Sequence, residues 1–363
     1  MRISAMMLTL LMLMTGLSGC LSPPDGSGDD ETNIVRVLTY DVFALSDEMI
    51  EDFESSTGYE VEIIRVNDAG TVLARALLTK DSPIGDVIVG IDNSFLQIAL
   101  EQELFQPYIG PVPALHPEAT TSYTGNLVVP YDWGRVCINY DTSYVDGENV
   151  SAPTSLWDLT DENWTGKVVV QNPRTSSPGR SFLIATVDYF ANDGDETTDF
   201  ADWWASMAAN EVIVTDGWSE AYELHYSGGY GQWYDGFIGD AHAVISYCHS
   251  PGVEAYYGEN WTTSVALTLD RASFLQIEYA GIVNGAANPD GAAAFIEAML
   301  NDSVQTGIAL SNFMYPAASA YTLPTDNGYL WHTGVPSQDS DLSAAEISAG
   351  IDGWLNDWDA AMA

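Results

Sequence analysis

Side chains able to grip a polar solute gather where apolar runs of this chain end. In VVVQNPRTSSPGRSF, residues 168 to 182, three β-branched residues lead into Asn-Pro-Arg-Thr-Ser-Ser-Pro-Gly, and a new apolar segment follows. A plain connection needs neither an arginine nor a hydroxyl cluster. Arg174, Thr175, Ser176 and Ser177, opening a helix, offer a guanidinium, hydroxyls and free N–H groups, which suit an anion such as phosphate. Other runs end in rings and acids: Thr39-Tyr40-Asp41, Asn67-Asp68, Asp92-Asn93 and Tyr131-Asp132-Trp133. Further along come Asp216-Gly217-Trp218-Ser219-Glu220, Tyr247-Cys248-His249-Ser250 and Asn312-Phe313-Met314-Tyr315. Aromatic faces stack on flat rings and attract cations, at roughly 0.5–2 kcal/mol each when partly desolvated. Carboxylates add charge-assisted bonds to a cation or an amino group. A flat cationic heterocycle with an alcohol or phosphate tail would use all three features.

Each residue also has a plainer role open to it. Tyr40 and Asp41 can cap and pack, Trp218 and Tyr247 can be core anchors, and Arg174 can pair with one of many acids. Ser219 and Glu220 suit an N-cap and a first-turn acid. Trp203-Trp204 and Tyr256-Tyr257 read as packing, and His116, His225, His242 and His332 lack partners at metal or catalytic spacing.

The elements that must position these groups alternate. IVRVLTYDVF reads as a buried strand, DEMIEDFESSTG as a helix stopped by Gly58, YEVEIIRVN as a strand and AGTVLARALLTK as a helix. GDVIVGI and NSFLQIALEQELF complete a βαβαβα pattern, the mark of a parallel sheet with covering helices. Near Pro130, NLVVPYDWGRVCINYD gives two strand-like runs around Tyr131 to Gly134. A second α/β unit follows, FLQIEYAGIV returns as strand, and the tail is mostly helical. We expect one lobe from 34–129 plus about 267–310, a second from 130–266, and a C-terminal segment, 311–363, packing across both. Ligands in such sheets bind beyond the carboxyl ends of strands, here in a cleft between lobes that can close by a hinge.

Composition bounds the function. The 363 residues include 52 acidic and 10 basic side chains, a net charge of −42, with lysine only at 80 and 167. Such a surface repels phosphate backbones and excludes nucleic-acid binding. It suits solubility, and its field attracts cations. At the N-terminus, Arg2, an apolar run from Ala5 to Met14 and small residues before Cys20 read as a signal peptide over 1–19. Leu17-Ser18-Gly19-Cys20 resembles the lipobox of secreted lipoproteins, which implies lipidation at Cys20, a flexible tether over 20–33, and a body held at the outer side of the cytoplasmic membrane. Cys137 and Cys248 could form a disulfide or remain two buried thiols. Asn149, Asn163, Asn260 and Asn301 each begin an Asn-X-Ser/Thr triplet, a possible glycan site on an exported protein.

VLTYDVF, GDVIVGIDN, NPRTSSPG, GWSEAY, SYCHSP and NFMYP occur here in the order found in thiamine-binding proteins of ABC importers. That family belongs to the type II periplasmic binding protein superfamily, and the resemblance runs from about Val35 to about Trp358. It implies an α/β fold of two lobes with a ligand cleft between them. It implies capture of thiamine or its phosphates and delivery to a permease driven by a separate ATPase, by a monomer that is no enzyme and carries no cofactor or metal. Carried over by position, it implies ligand contacts at Tyr40, Asp68, Ser176, Trp218 and Tyr247. Trp218, Tyr247 and Tyr40 would stack on or flank the rings. Asp68 would offset charge or bind the aminopyrimidine, and Ser176, backed by Arg174 and Thr175, would hold the hydroxyl or phosphate end. Phe313 stands where the family often has tryptophan, and Asp92 and Trp133 complete the expected set. Two family aromatics have no counterpart: none follows the first strand in ALSDEM, and Val253 replaces a tyrosine. Nearby Tyr256 or Trp133 could stand in. A ferric-ion binder of the same superfamily is the rival reading, with Tyr256-Tyr257 as the oxygen donors; a binder of another cationic solute, such as a polyamine, is a further one. His249 near Ser250 and Asp132 invites a hydrolase, but no Gly-x-Ser-x-Gly elbow is present.

Overall fold

A computed structural model describes residues 33–363 apart from 121, 122, 124, 146, 148 and 149. The signal peptide, Cys20, all but the last residue of the tether and Asn149 therefore lie outside the described residues.

The first half opens with β1 (Ile34–Tyr40), α1 (Asp47–Thr57), β2 (Glu60–Val66), α2 (Ala69–Leu78), β3 (Val87–Asp92), α3 (Leu96–Glu101) and a short β4 (Phe105–Gln106). β1 pairs in parallel with both β2 and β3. β3 is buried along its whole length, so it reads Val-Ile-Val rather than alternating. The helix ends are set by side chains. The Ser46 hydroxyl accepts from the Met49 N–H, and Gly58, at φ 78°, takes the left-handed conformation that ends α1.

The chain then enters β5 (Val129–Asp141), β6 (Val168–Gln171), α4 (Ser177–Asn192), α5 (Phe200–Ala209), β7 (Ile213–Thr215), β8 (Ala243–Tyr247), α6 (Ser250–Tyr257) and β9 (Ser264–Leu267). It returns through β10 (Phe274–Val283), α7 (Pro289–Met299), α8 (Asp302–Ser311), β11 (Tyr315–Pro316), α9 (Tyr329–His332) and α10 (Ala344–Ala361). The main sheet runs β2-β1-β3-β10-β5-β8-β6-β7. Its two longest strands, β5 and β10, lie antiparallel side by side at the centre and join the halves.

The result is the expected two-lobed α/β architecture, with two differences. The segment around Tyr131 to Gly134 is one continuous strand, because Trp133 and Gly134 pair with Ile277 and Gln276 of β10. SEAYELHYSGG, a short helix by its pattern, contains a π-helical turn, Glu220–His225. The C-terminal segment divides its contacts: Tyr315, Ala317 and Tyr329 join the core that holds Leu38 and Ile88 of the first lobe, and Ile347, Ile351, Leu355 and Trp358 of α10 join Trp203, Trp204 and Phe182 in the core of the second. α7 and α8 return to the first lobe, where Phe295, Ile296, Val304 and Ile308 pack with Val35 and Val37. Cys137 on β5 is disulfide-bonded to Cys248, just beyond β8, which resolves the two options left open by spacing.

Candidate functional site

A cleft opens between the lobes beyond the carboxyl ends of β1 and β8, enclosing about 660 Å³ of space with its mouth included. Its second-lobe wall is aromatic. The rings of Trp218 and Tyr222 stack at 4.6 Å with planes 14° apart, Tyr230 packs on Tyr222 at 5.3 Å, and Phe313 meets Tyr230 at 5.7 Å. The π-helical turn holds this wall; such turns recur at functional sites. The Trp218 indole N–H donates to the Ser246 hydroxyl at 2.8 Å. The Tyr222 hydroxyl donates to Glu254, which also accepts from the Thr262 hydroxyl at 2.5 Å. Burial pushes the Glu254 carboxyl up to about 8.

Acids dominate the first-lobe side. Asp68 caps α2: its Oδ1 accepts from the Ala69 N–H at 2.7 Å and from the Ser177 N–H at 3.2 Å. Its Oδ2 accepts from the Trp218 N–H at 3.1 Å. One carboxylate of the first lobe thus binds two N–H groups of the second. Burial pushes its carboxyl up to about 6, against the hydrogen bonds, which pull it down. The Ser219 hydroxyl donates to Asp41 at 2.5 Å, and the Gly70 N–H donates to the Thr175 carbonyl at 2.9 Å. These contacts hold the lobes closed. A Cβ at Gly70 would stand 2.6 Å from the Arg174 carbonyl oxygen, so only glycine permits this approach.

Glu278 lies on the cleft floor. It accepts from the Tyr131 hydroxyl at 2.6 Å, the Tyr40 hydroxyl at 3.0 Å and the Gln276 amide at 2.9 Å. Phe313 is in the left-handed region at φ 58°, and its carbonyl accepts from His249 Nε2 at 2.6 Å. Burial holds His249 down at about 4, hence neutral.

Of the expected site residues, Tyr40, Asp68, Trp218, Tyr247 and Phe313 line the cleft together. Five others do not. Ser176 is fully buried as the cap of α4, accepting from the Gly179 N–H, and the hydroxyl facing the cleft belongs to Ser177. Thr175 donates to the Asp216 carbonyl at 2.7 Å. Arg174 turns away to α10, where it pairs with Asp359 at 2.6 Å and reaches Asn356 at 3.2 Å. The arginine turn therefore presents no guanidinium to the cleft, and Asp68 occupies the Ser177 N–H. Asp92 is buried one bond behind the wall, accepting from the Ser177 hydroxyl. Trp133 stacks on His116 at 5.0 Å and donates to the Pro316 carbonyl at 3.1 Å, in the core. Tyr256 and Trp133 do not replace the missing aromatics; Tyr222 and Tyr230 supply the additional rings. Tyr222 sits in GWSEAY and could have been found there by its i, i+4 spacing from Trp218. Glu278 was hidden in mid-strand, where its signal is a lone acid inside an apolar run.

The model of the bacterial extracellular solute-binding protein family matches residues 48–328. The chain belongs to that family. This solute-binding protein is 28% identical over 337 residues to the thiamine-binding periplasmic protein of Escherichia coli (strain K12), covering 91% of this chain and 93% of the relative. It is 26% identical over 333 residues to the protein of the same description from Brucella melitensis, covering 90% and 91%. Among solved structures it resembles a periplasmic thiamin binding protein, with a TM-score of 0.74 at 26% identity over 94% of this chain and 99% of that one. A ferric binding protein from Campylobacter jejuni shares the fold, with a TM-score of 0.65 at 17% identity over 90% and 99%. The solute-binding protein is thus an extracytoplasmic transport component rather than an enzyme. Among the described residues, no helix is long and apolar enough to cross a membrane.

Proposed function

We propose that this protein captures thiamine outside the cytoplasmic membrane, to which a lipidated Cys20 tethers it, and hands it to an ABC-type permease with its ATPase. The observation that carries the ligand is the pairing of a stacked Trp218–Tyr222 wall with Asp41, Asp68 and Glu278 across one cleft. A flat cation satisfies both sides at once. The relatives named thiamine-binding support the same reading. No Arg, Lys or His stands among the described residues lining the cleft, which favours thiamine over its phosphates. The ferric alternative draws less support: Tyr257 is exposed and donates to the Leu310 carbonyl, and neither it nor Tyr256 lines the cleft.

The test is a panel read by tryptophan fluorescence, with thiamine, thiamine monophosphate, spermidine and ferric citrate. Thiamine should quench Trp218 at the lowest concentration, with the monophosphate weaker. A preference for spermidine, or a visible iron–tyrosinate band with ferric citrate, would replace the reading.

A further inference from the structure

We propose that Glu278, backed by Asp132, is the charge-selecting residue of the cleft, and that it exchanges a proton for the positive charge of the incoming solute. The inference rests on the cationic-ligand reading above and adds a mechanism of selection to it.

Glu278 on β10 and Asp132 on β5 are direct cross-strand partners, so their side chains are neighbours. A β-bulge follows Glu278, a device that re-aims side chains beside binding sites. Asp132 is fully buried, and Glu278 is only 3% exposed, its surface turned to the cleft. Every donor to the pair is neutral. Tyr40, Tyr131 and Gln276 serve Glu278, and the Asn312 amide serves Asp132 Oδ2 at 2.9 Å. Asp132 Oδ1 is buried with no partner. None of the ion pairs among the described residues includes either carboxyl. The other titratable groups acting on the pair are Asp68, Asp92, Tyr40, Tyr131 and Tyr247, none of them cationic.

Two adjacent buried carboxylates with no countercharge cannot both be ionised, so the empty site retains a proton. Burial pushes both groups upward, helped by repulsion from Glu278 on Asp132 and from Asp92 and Asp68 on Glu278, in keeping with that count. A cation entering beside Glu278 supplies the missing charge. The proton then leaves the pair for solvent, and the net charge of the site is unchanged. A neutral solute of the same shape brings no such compensation, which is how the pair discriminates.

The test is calorimetry of thiamine binding to the mature protein at pH 7 in phosphate and in Tris, whose ionisation heats differ. The difference in apparent enthalpy should correspond to about one proton released per thiamine, with affinity rising up to about tenfold per pH unit from 6 to 8. Glu278→Gln should bind more weakly, release no proton and lose the pH dependence, and Asp132→Asn should reduce the release. Thiamine binding with equal enthalpy in both buffers would overturn the inference while leaving the ligand reading intact. Proton release that persists in Glu278→Gln would also overturn it. No thiamine binding at all would remove the reading and the inference together. The wild-type comparison decides even where a variant fails to fold.

Discussion

Trp218 and Arg174 were both candidates on chemical grounds, and the structure separates them. Trp218 forms the ring wall and gives its backbone N–H to Asp68. Arg174 holds α10 through Asp359. Trp218→Ala should therefore weaken thiamine binding at least tenfold, the loss of a stacking and cation–π face worth about 1.4 kcal/mol or more. Arg174→Ala should change it less than twofold, and calorimetry of the two variants checks the contrast. Tyr40, Asp68, Trp218 and Tyr247 were legible in the sequence because Tyr40 and Tyr247 end strands and Asp68 and Trp218 lie in the turns that follow β2 and β7. Ser176 was off by one residue, since its hydroxyl is taken up as the cap of α4 and it is Ser177 that lines the cleft. Arg174 was misplaced because its partner, Asp359, lies far along the chain. Glu254 is buried at the back of the aromatic wall, and its burial carries a pH dependence. Its folded-state value, about 8, exceeds the ordinary glutamate value, so its contribution to stability is full at low pH and declines as pH rises through 8. His249, held near 4, acts in the opposite sense, but only below its ordinary value of 6.5. Between pH 6.5 and 8, Glu254→Gln should thus flatten the fall in melting temperature by removing a slope of at most about 1.4 kcal/mol per pH unit.

At the scale of elements, the βαβαβα opening was legible because β1 and β3 are apolar runs closed by polar turns. The single β5 was not: Asp132, Trp133 and Gly134 read as a break, and only pairing with β10 carries the strand through. The π-helical turn was equally hidden, since its apolar spacing reads as an ordinary helix. Closure of the lobes depends on two helix starts meeting. Asp68 caps α2, Ser176 caps α4, and Gly70 fits against the Arg174 and Thr175 carbonyls with no room for a side chain. Gly70→Ala should hold the lobes apart. Small-angle scattering with saturating thiamine should then give a larger radius of gyration than wild type, and the affinity should fall by an order of magnitude or more. Wild-type compaction and affinity in this variant would show that the lobes close without that contact.

Over the whole molecule, charge and cleft act together. A net charge of −42 draws cations toward the surface, and the cleft lining, rich in carboxyls and rings, selects among them. The two-lobed outline was predictable from the order of elements, whereas the seating of α10 on the second lobe was not. Its apolar face, Ile347, Ile351, Leu355 and Trp358, fits either lobe by pattern, and only the tryptophan-rich core around Trp203 and Trp204 fixes the choice. Hydrogen bonds centred on Asp68 bridge the lobes, so a solute touching both walls gains by adding to them. The most direct test is calorimetric titration of the mature protein with thiamine. The account predicts saturable binding of one thiamine per chain, tighter than thiamine monophosphate. A flat titration, or tighter binding of the phosphate, would contradict it.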